Sequence, residues 1–154
     1  MSDFELAWHG REFFTLATKE TVRAMTKATI HVEGEAKRIM GTGASKFNTS
    51  GDTKQKRGGK SFHRPSAPGS PPAIDTGVLM SSVSHKVKKT GSSVNGFVGS
   101  DIDKIRSKAE AGTDVEYGFF LEVGTKFMLP RPWLRPALRK SEKDILRILR
   151  TGVT

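Results

Sequence analysis

The 154-residue chain has no cysteine, which excludes disulfides, thiolate chemistry and cysteine-based zinc sites, so the fold must hold by packing alone. It has no run of about 20 apolar residues, and no membrane-spanning helix is expected. The opening MSDFELAWHGRE carries no basic region followed by an apolar core, so no signal peptide is expected. Acidic residues are scarce and scattered, whereas a metal-dependent nuclease needs several carboxylates together to hold its ions. The nearest pair, Asp101 and Asp103, flanks Ile102 and reads more simply as a solvated turn. His9, His31, His63 and His85 are dispersed without the i,i+4 spacing or neighbouring acid of a zinc enzyme, and read as surface or loop histidines. Gly41 and Gly43, or Gly58 and Gly59, are not followed by both Lys-Ser/Thr and a helix start, as a phosphate-cradling loop requires. No catalytic residue, metal site or cofactor is expected.

What the chain does have is positive charge. Against 16 Asp and Glu stand 26 Lys and Arg, a formal net charge of +10 and a pI of about 10.1. Such a balance argues for a polyanionic neighbour: nucleic acid first, an acidic protein or membrane surface second. Hydrophobic residues make up 35%, enough for one domain with a modest core.

Phe4, Leu6 and Trp8 alternate with polar or small residues, the pattern of a short strand. From Arg11 the period changes. Phe14, Ala17, Thr21, Met25, Ala28, Val32, Glu35 and Ile39 recur at three or four residues and predict one long helix of about eight turns. Residues 41–69 are rich in Gly, Ser, Thr and Lys and predict a flexible loop. Lys46, Lys54, Lys56, Arg57, Lys60 and Arg64 there stand against only Asp52, so the segment is either a solvated insertion or an arm whose cations are the candidates for contacting DNA phosphates. A Pro-set stretch follows, with Asp75 or Thr76 placed to cap a short helix at Val78 to Met80. Val83, His85 and Val87, then Val94, Gly96 and Val98, alternate about Thr90-Gly91-Ser92-Ser93 and predict a β-hairpin. From Trp133 onward, Leu134, Ala137, Leu138, Ile145, Ile148 and Leu149 share a helix face while Arg135, Arg139, Lys140, Lys143, Arg147 and Arg150 crowd the rest. The expected fold is α+β, with a long N-terminal helix and a basic C-terminal helix packed on a small, mainly antiparallel sheet.

The densest stretch is Tyr117 to Arg139. Tyr117, Phe119, Phe120, Leu121 and Val123 offer a large apolar area to bury, and Gly124-Thr125 forces a stop. Leu129-Pro130-Arg131-Pro132 must then be extended, and Trp133 opens the last helix, with Pro136 tolerated in its first turn. Glu122 inside an apolar run requires a partner, for which Arg131 or Arg135 is at hand. Tyr117, Phe120, Glu122, Gly124, Thr125, Pro132, Trp133, Arg135 and Pro136 are therefore the candidates for a rigid corner or subunit seam. A buried aromatic commonly anchors an interface, so loss of Trp133 is expected to impair assembly more than folding.

Two segments carry a resemblance. Pro65 to Ala73 with Asp75-Thr76-Gly77-Val78-Leu79 and Ser82 is similar to a PP-x-x-x-TG-x-L-x-x-S pattern, and Tyr117, Leu121-Glu122, Gly124-Thr125 and Pro132 to Leu138 to Y-x-x-x-LE-x-GT followed by P-[aromatic]-L-R-P-A-L. Both patterns, in this order, resemble the tail-completion or neck proteins of long-tailed bacteriophages, the group of the lambda minor tail protein Z. Trp133 stands where that family often has Phe, and the Lys/Gly-rich loop is a departure. The resemblance implies a non-enzymatic structural protein of the virion, assembled in the host cytoplasm at the head–tail junction. It implies a homo-oligomeric ring, a hexamer, around the DNA channel, with phage neck and tail proteins and packaged DNA as partners and no membrane. Two other classes stay open: a small cytoplasmic protein binding nucleic acid without sequence preference, which predicts tight salt-dependent binding by the monomer, and a small nuclease, which would need the missing carboxylate cluster.

Overall fold

The computed structural model describes residues 10–43, 54–57, 60–63, 66–74, 77–101, 103 and 117–152, with 10–17, 54–57 and 60–63 as backbone. The strand expected at Phe4 to Trp8, and residues 104–116, lie outside them. In chain order the elements are α1 (Gly10–Gly41), β1 (Lys54–Arg57), β2 (Lys60–His63), α2 (Val78–Ser82), β3 (Val83–Thr90), β4 (Ser93–Ser100), α3 (Tyr117–Val123) and α4 (Leu134–Thr151). This is an α+β architecture of two long helices and two antiparallel two-stranded ribbons.

Helix α1, 32 residues long, is the spine. At about 100° per residue, Ala24, Ala28, His31 and Glu35 fall on one stripe, and Met25, Thr29 and Glu33 on a second, roughly 130° around the helix. The first stripe meets α4. Gly152 at its end lies so near that an added Cβ would stand 2.7 Å from the Ala24 Cβ, while Lys140 Nζ reaches Glu35 at 2.7 Å and Asp144 lies 3.4 Å from His31. The second stripe meets the β3–β4 hairpin, where a Cβ on Gly96 would lie 2.5 Å from Thr29 Cγ2. Between the stripes sits the core: Ala36, Ile39 and Met40 of α1 against Val83, Trp133 and Ala137, with Leu79, Met80, Val98 and Leu134 packed around them.

The buried positions of α1 are Ala24, Ala28, Thr29, Val32, Ala36, Ile39 and Met40, so the stripe predicted through Thr21, Met25 and Glu35 is shifted. Small alanines, weak in any hydropathy pattern, occupy the points where two elements approach most closely. Likewise α4 centres its inner face on Ala137 and Ser141, and Leu138, a further 100° around, is exposed.

The predicted β3–β4 hairpin is present, with Val83 opposite Ser100, His85 opposite Val98 and Val87 opposite Gly96. Its turn places Gly91 at φ +59° and no non-glycine at positive φ, as a type II′ connection requires. The 41–69 stretch differs from the expected loop, because β1 and β2 pair within it, Lys54 with His63 and Arg57 with Lys60. The N-cap of helix α2 is Gly77, without a side-chain cap bond, and the expected capping residues Asp75 and Thr76 lie outside the described residues.

Candidate functional site

The corner is built around Glu122. Helix α3 turns Gly118, Leu121 and Glu122 inward, and Glu122 is only 9% exposed. Its Oε2 accepts hydrogen bonds from the backbone N–H of Trp133 at 2.7 Å and Leu134 at 2.9 Å, and its Oε1 from that of Arg135 at 2.9 Å. The first turn of a helix presents N–H groups with no partner inside the helix, and its dipole favours a negative charge. Glu122 thus caps α4 from a different helix, a role that Trp133, at the N-cap position without a side-chain cap bond, does not fill. Of the two arginines expected as its partner, Arg135 does pair with it, as a long ion pair beside these main-chain donors, and Arg131 is engaged elsewhere. Arg135 Nε stands 3.9 Å away on a largely exposed side chain, and Arg131 Nε donates instead to the Ser66 carbonyl at 3.0 Å.

The rest of the corner locks to the same frame. Helix α3 ends where Gly124 takes φ +82°, a conformation L side chains resist, and a Cβ there would also lie 2.8 Å from the Met128 carbonyl oxygen. Thr125 and Met128 bridge each other, Thr125 N–H donating to Met128 O at 2.8 Å, and Phe127 N–H donates to Thr125 Oγ1 at 3.2 Å. The Arg131 N–H returns to Leu121 O at 2.7 Å, and Gly69 N–H donates to Pro130 O at 2.9 Å. The Pro-rich stretch and the corner, two segments singled out separately in the sequence, therefore pack together. The end of α1 joins them, for a Cβ on Gly43 would lie 2.1 Å from Pro72 O.

Trp133 is 2% exposed, inside the core, with Nε1 donating to the Gly118 carbonyl at 3.2 Å. It is buried within its own chain, which overturns the expectation that its loss would affect assembly before folding. Pro132 and Pro136 are half-buried beside it, as is Phe120, whose ring meets Phe119 edge to face at 5.9 Å. Burial of the whole aromatic run does not occur. Phe119 is 61% exposed, and Tyr117 and Val123 also face outward, because a helix can turn only one side of the run to the core. Phe127 at 93% and Leu129 at 66% extend this apolar surface along the following turn, held there by the hydrogen bonds just described. These two were not among the sequence candidates; their signal was a pair of apolar residues just after the Gly-Thr stop, with no helical periodicity to bury them.

The chain matches no family model, no curated protein and no solved structure.

Of the basic candidates, Lys54, Lys56 and Arg57 lie on β1 and Lys60 on β2, while Lys46 and Arg64 fall outside the described residues. Among the described residues no group of three or more His, Asp or Glu is placed to hold a metal, and no helix is long and apolar enough to cross a membrane. Asp101 Oδ1 accepts from the Asp103 N–H at 3.0 Å, closing a local turn. Two histidines do find acids, contrary to the sequence reading. His85 Nδ1 lies 2.6 Å from Glu33 Oε2, and His31 near Asp144. Burial pushes the Glu33 carboxyl up, but hydrogen bonds from Lys37 and His85 outweigh it and hold the group below its ordinary value.

Proposed function

We propose that the chain is a structural, non-enzymatic virion protein of a long-tailed bacteriophage. It works at the head–tail junction, as one subunit of a homo-oligomeric ring around the DNA channel, needed for tail completion or head–tail joining. The observation that carries this reading is the apolar surface of Phe119, Val123, Phe127 and Leu129 displayed on a rigid corner. Exposed aromatic side chains fixed on a preformed frame lose little conformational freedom on association, which suits a subunit seam. Ring closure needs one surface of a subunit to meet a different surface of the next, and the outer side of α4, with Leu138 and Leu146 exposed, offers a second apolar surface for that contact. The net charge of +10 supports DNA as a neighbour touched through phosphates without base readout. The resemblance of both sequence patterns to neck proteins supports the location.

Electron microscopy of virions carrying an epitope-tagged copy, labelled with a gold-conjugated antibody, tests the location. Label confined to the neck is expected. A chain absent from purified particles, and found as a monomer binding DNA tightly in the host cytoplasm, would replace this reading with that of a free nucleic-acid-binding protein.

A further inference from the structure

A second surface, away from the corner, has its own chemistry. The inner face of the β3–β4 hairpin is committed to α1 through Gly96, Val83 and His85. The register therefore assigns Ser84, Lys86, Lys88 and Thr90 of β3, with Ser93, Asn95, Phe97 and Gly99 of β4, to the outer face. Phe97 is 54% exposed there. Lys86 is its direct cross-strand partner, Lys88 pairs with the adjacent Asn95, and both lysines are exposed. Gly99, two residues along the same face, has nothing within 4 Å of a would-be Cβ, so that side of the ring is open. No Asp or Glu occurs between Asp75 and Asp101, and no acid among the described residues pairs with Lys86 or Lys88.

We propose that this outer face is a binding platform for single-stranded nucleic acid, in which Phe97 stacks on an unpaired base while Lys86 and Lys88 take the flanking phosphates. The charge of the face selects a polyanion. The ring then separates single strand from duplex, because a paired and stacked base has no free face to offer. Ser84 and Asn95 beside the ring, and Thr90 and Ser93 further along the same face towards the turn, supply hydrogen-bonding groups without charge repulsion, in keeping with tolerance of any sequence. This inference goes beyond the assembly reading and uses none of the corner residues, so either can fail without the other.

The test is fluorescence anisotropy of the full chain with a labelled 12-nucleotide oligothymidine, and with the matching duplex, over a salt series. Phe97→Ala, at an exposed position where folding is checked by circular dichroism, is expected to weaken single-strand binding by roughly 5- to 150-fold, the range of one lost base stack. Duplex binding should change less than twofold. Phe97→Trp should retain affinity, whereas Phe97→Leu, apolar but without a stacking face, should lose it. Lys86→Ala with Lys88→Ala should lower the salt slope for the single strand by about 1.4, at about 0.7 per phosphate contact. The proposal is overturned if Phe97→Ala leaves single-strand affinity unchanged or weakens duplex equally. It is also overturned if Phe97→Ala alters sedimentation instead of affinity, which would make the face a contact with another copy.

Discussion

Replacing Glu122 by glutamine changes little in shape and much in chemistry. The carboxylate accepts three backbone hydrogen bonds through its two oxygens, and glutamine has only one accepting oxygen. Rotated to keep the Trp133 and Leu134 bonds, its NH2 would face the Arg135 N–H, donor against donor; rotated the other way, two bonds are lost. A net hydrogen bond to a charged group is worth about 1.5–3 kcal/mol, and a negative charge at a helix start adds about 0.3–2 kcal/mol. Relief of burying a charge offsets part of this, leaving an expected destabilisation of about 2–4 kcal/mol. At about 2–4 °C per kcal/mol for a chain of this size, melting should fall by roughly 5–15 °C. Urea and thermal unfolding followed by far-ultraviolet circular dichroism measure it. Arg135→Ala, removing a side chain 3.9 Å from the carboxylate and mostly in solvent, should cost no more than about 0.5 kcal/mol. If the two variants change stability equally, or Glu122→Gln changes it by less than about 0.5 kcal/mol, the capping role assigned to Glu122 is wrong.

Trp133→Ala should cost about 3–5 kcal/mol as a core truncation; an unchanged urea midpoint would contradict its burial at the corner. Ser141→Ala should be neutral or raise the midpoint slightly, since the buried Ser141 hydroxyl has no hydrogen-bond partner among the described residues and alanine is the better helix former. Glu35 is held at about 2, against an ordinary 4.5, by hydrogen bonds first from Arg38 and then from Lys140. A carboxyl depressed in the folded state stabilises above its unfolded value and loses that contribution as pH falls through the folded one. Stability should therefore decline from about pH 5 towards pH 2, and Glu35→Gln should flatten that limb, as urea midpoints across the range would show.

The two long helices were legible because a 3.6-residue period repeated over many turns is hard to mistake, and the β3–β4 hairpin because valines alternate about a glycine turn. The phase of the α1 stripe was less so. Ala24 and Ala36 decide where elements touch, yet alanine carries little hydrophobic signal. The β1–β2 ribbon escaped because KQKR and KSFH have no apolar alternation; the available clue was Gly58-Gly59, a pair favoured in two-residue hairpin connections. The need for a Glu122 partner, and Arg135 as one, followed from its apolar surroundings, but its three closest partners are main-chain donors at the start of another helix, which no side-chain pattern announces. The pairing of His85 with Glu33, 52 residues apart, depends on the hairpin lying across α1. Which aromatics of the 117–129 stretch face outward depends on α3 forming a helix and on where the extended crossing returns.

Sedimentation velocity of the purified full chain across a range of concentrations, alongside a Phe127→Ser, Leu129→Ser double variant, tests the seam directly. Both side chains are exposed, so the variant should keep its circular dichroism spectrum and melting temperature. The wild-type chain is predicted to form one discrete closed oligomer and the variant to sediment as a monomer. A wild-type chain that stays monomeric at every concentration, or a variant that assembles equally well, would contradict the assignment of this corner as the surface through which subunits join.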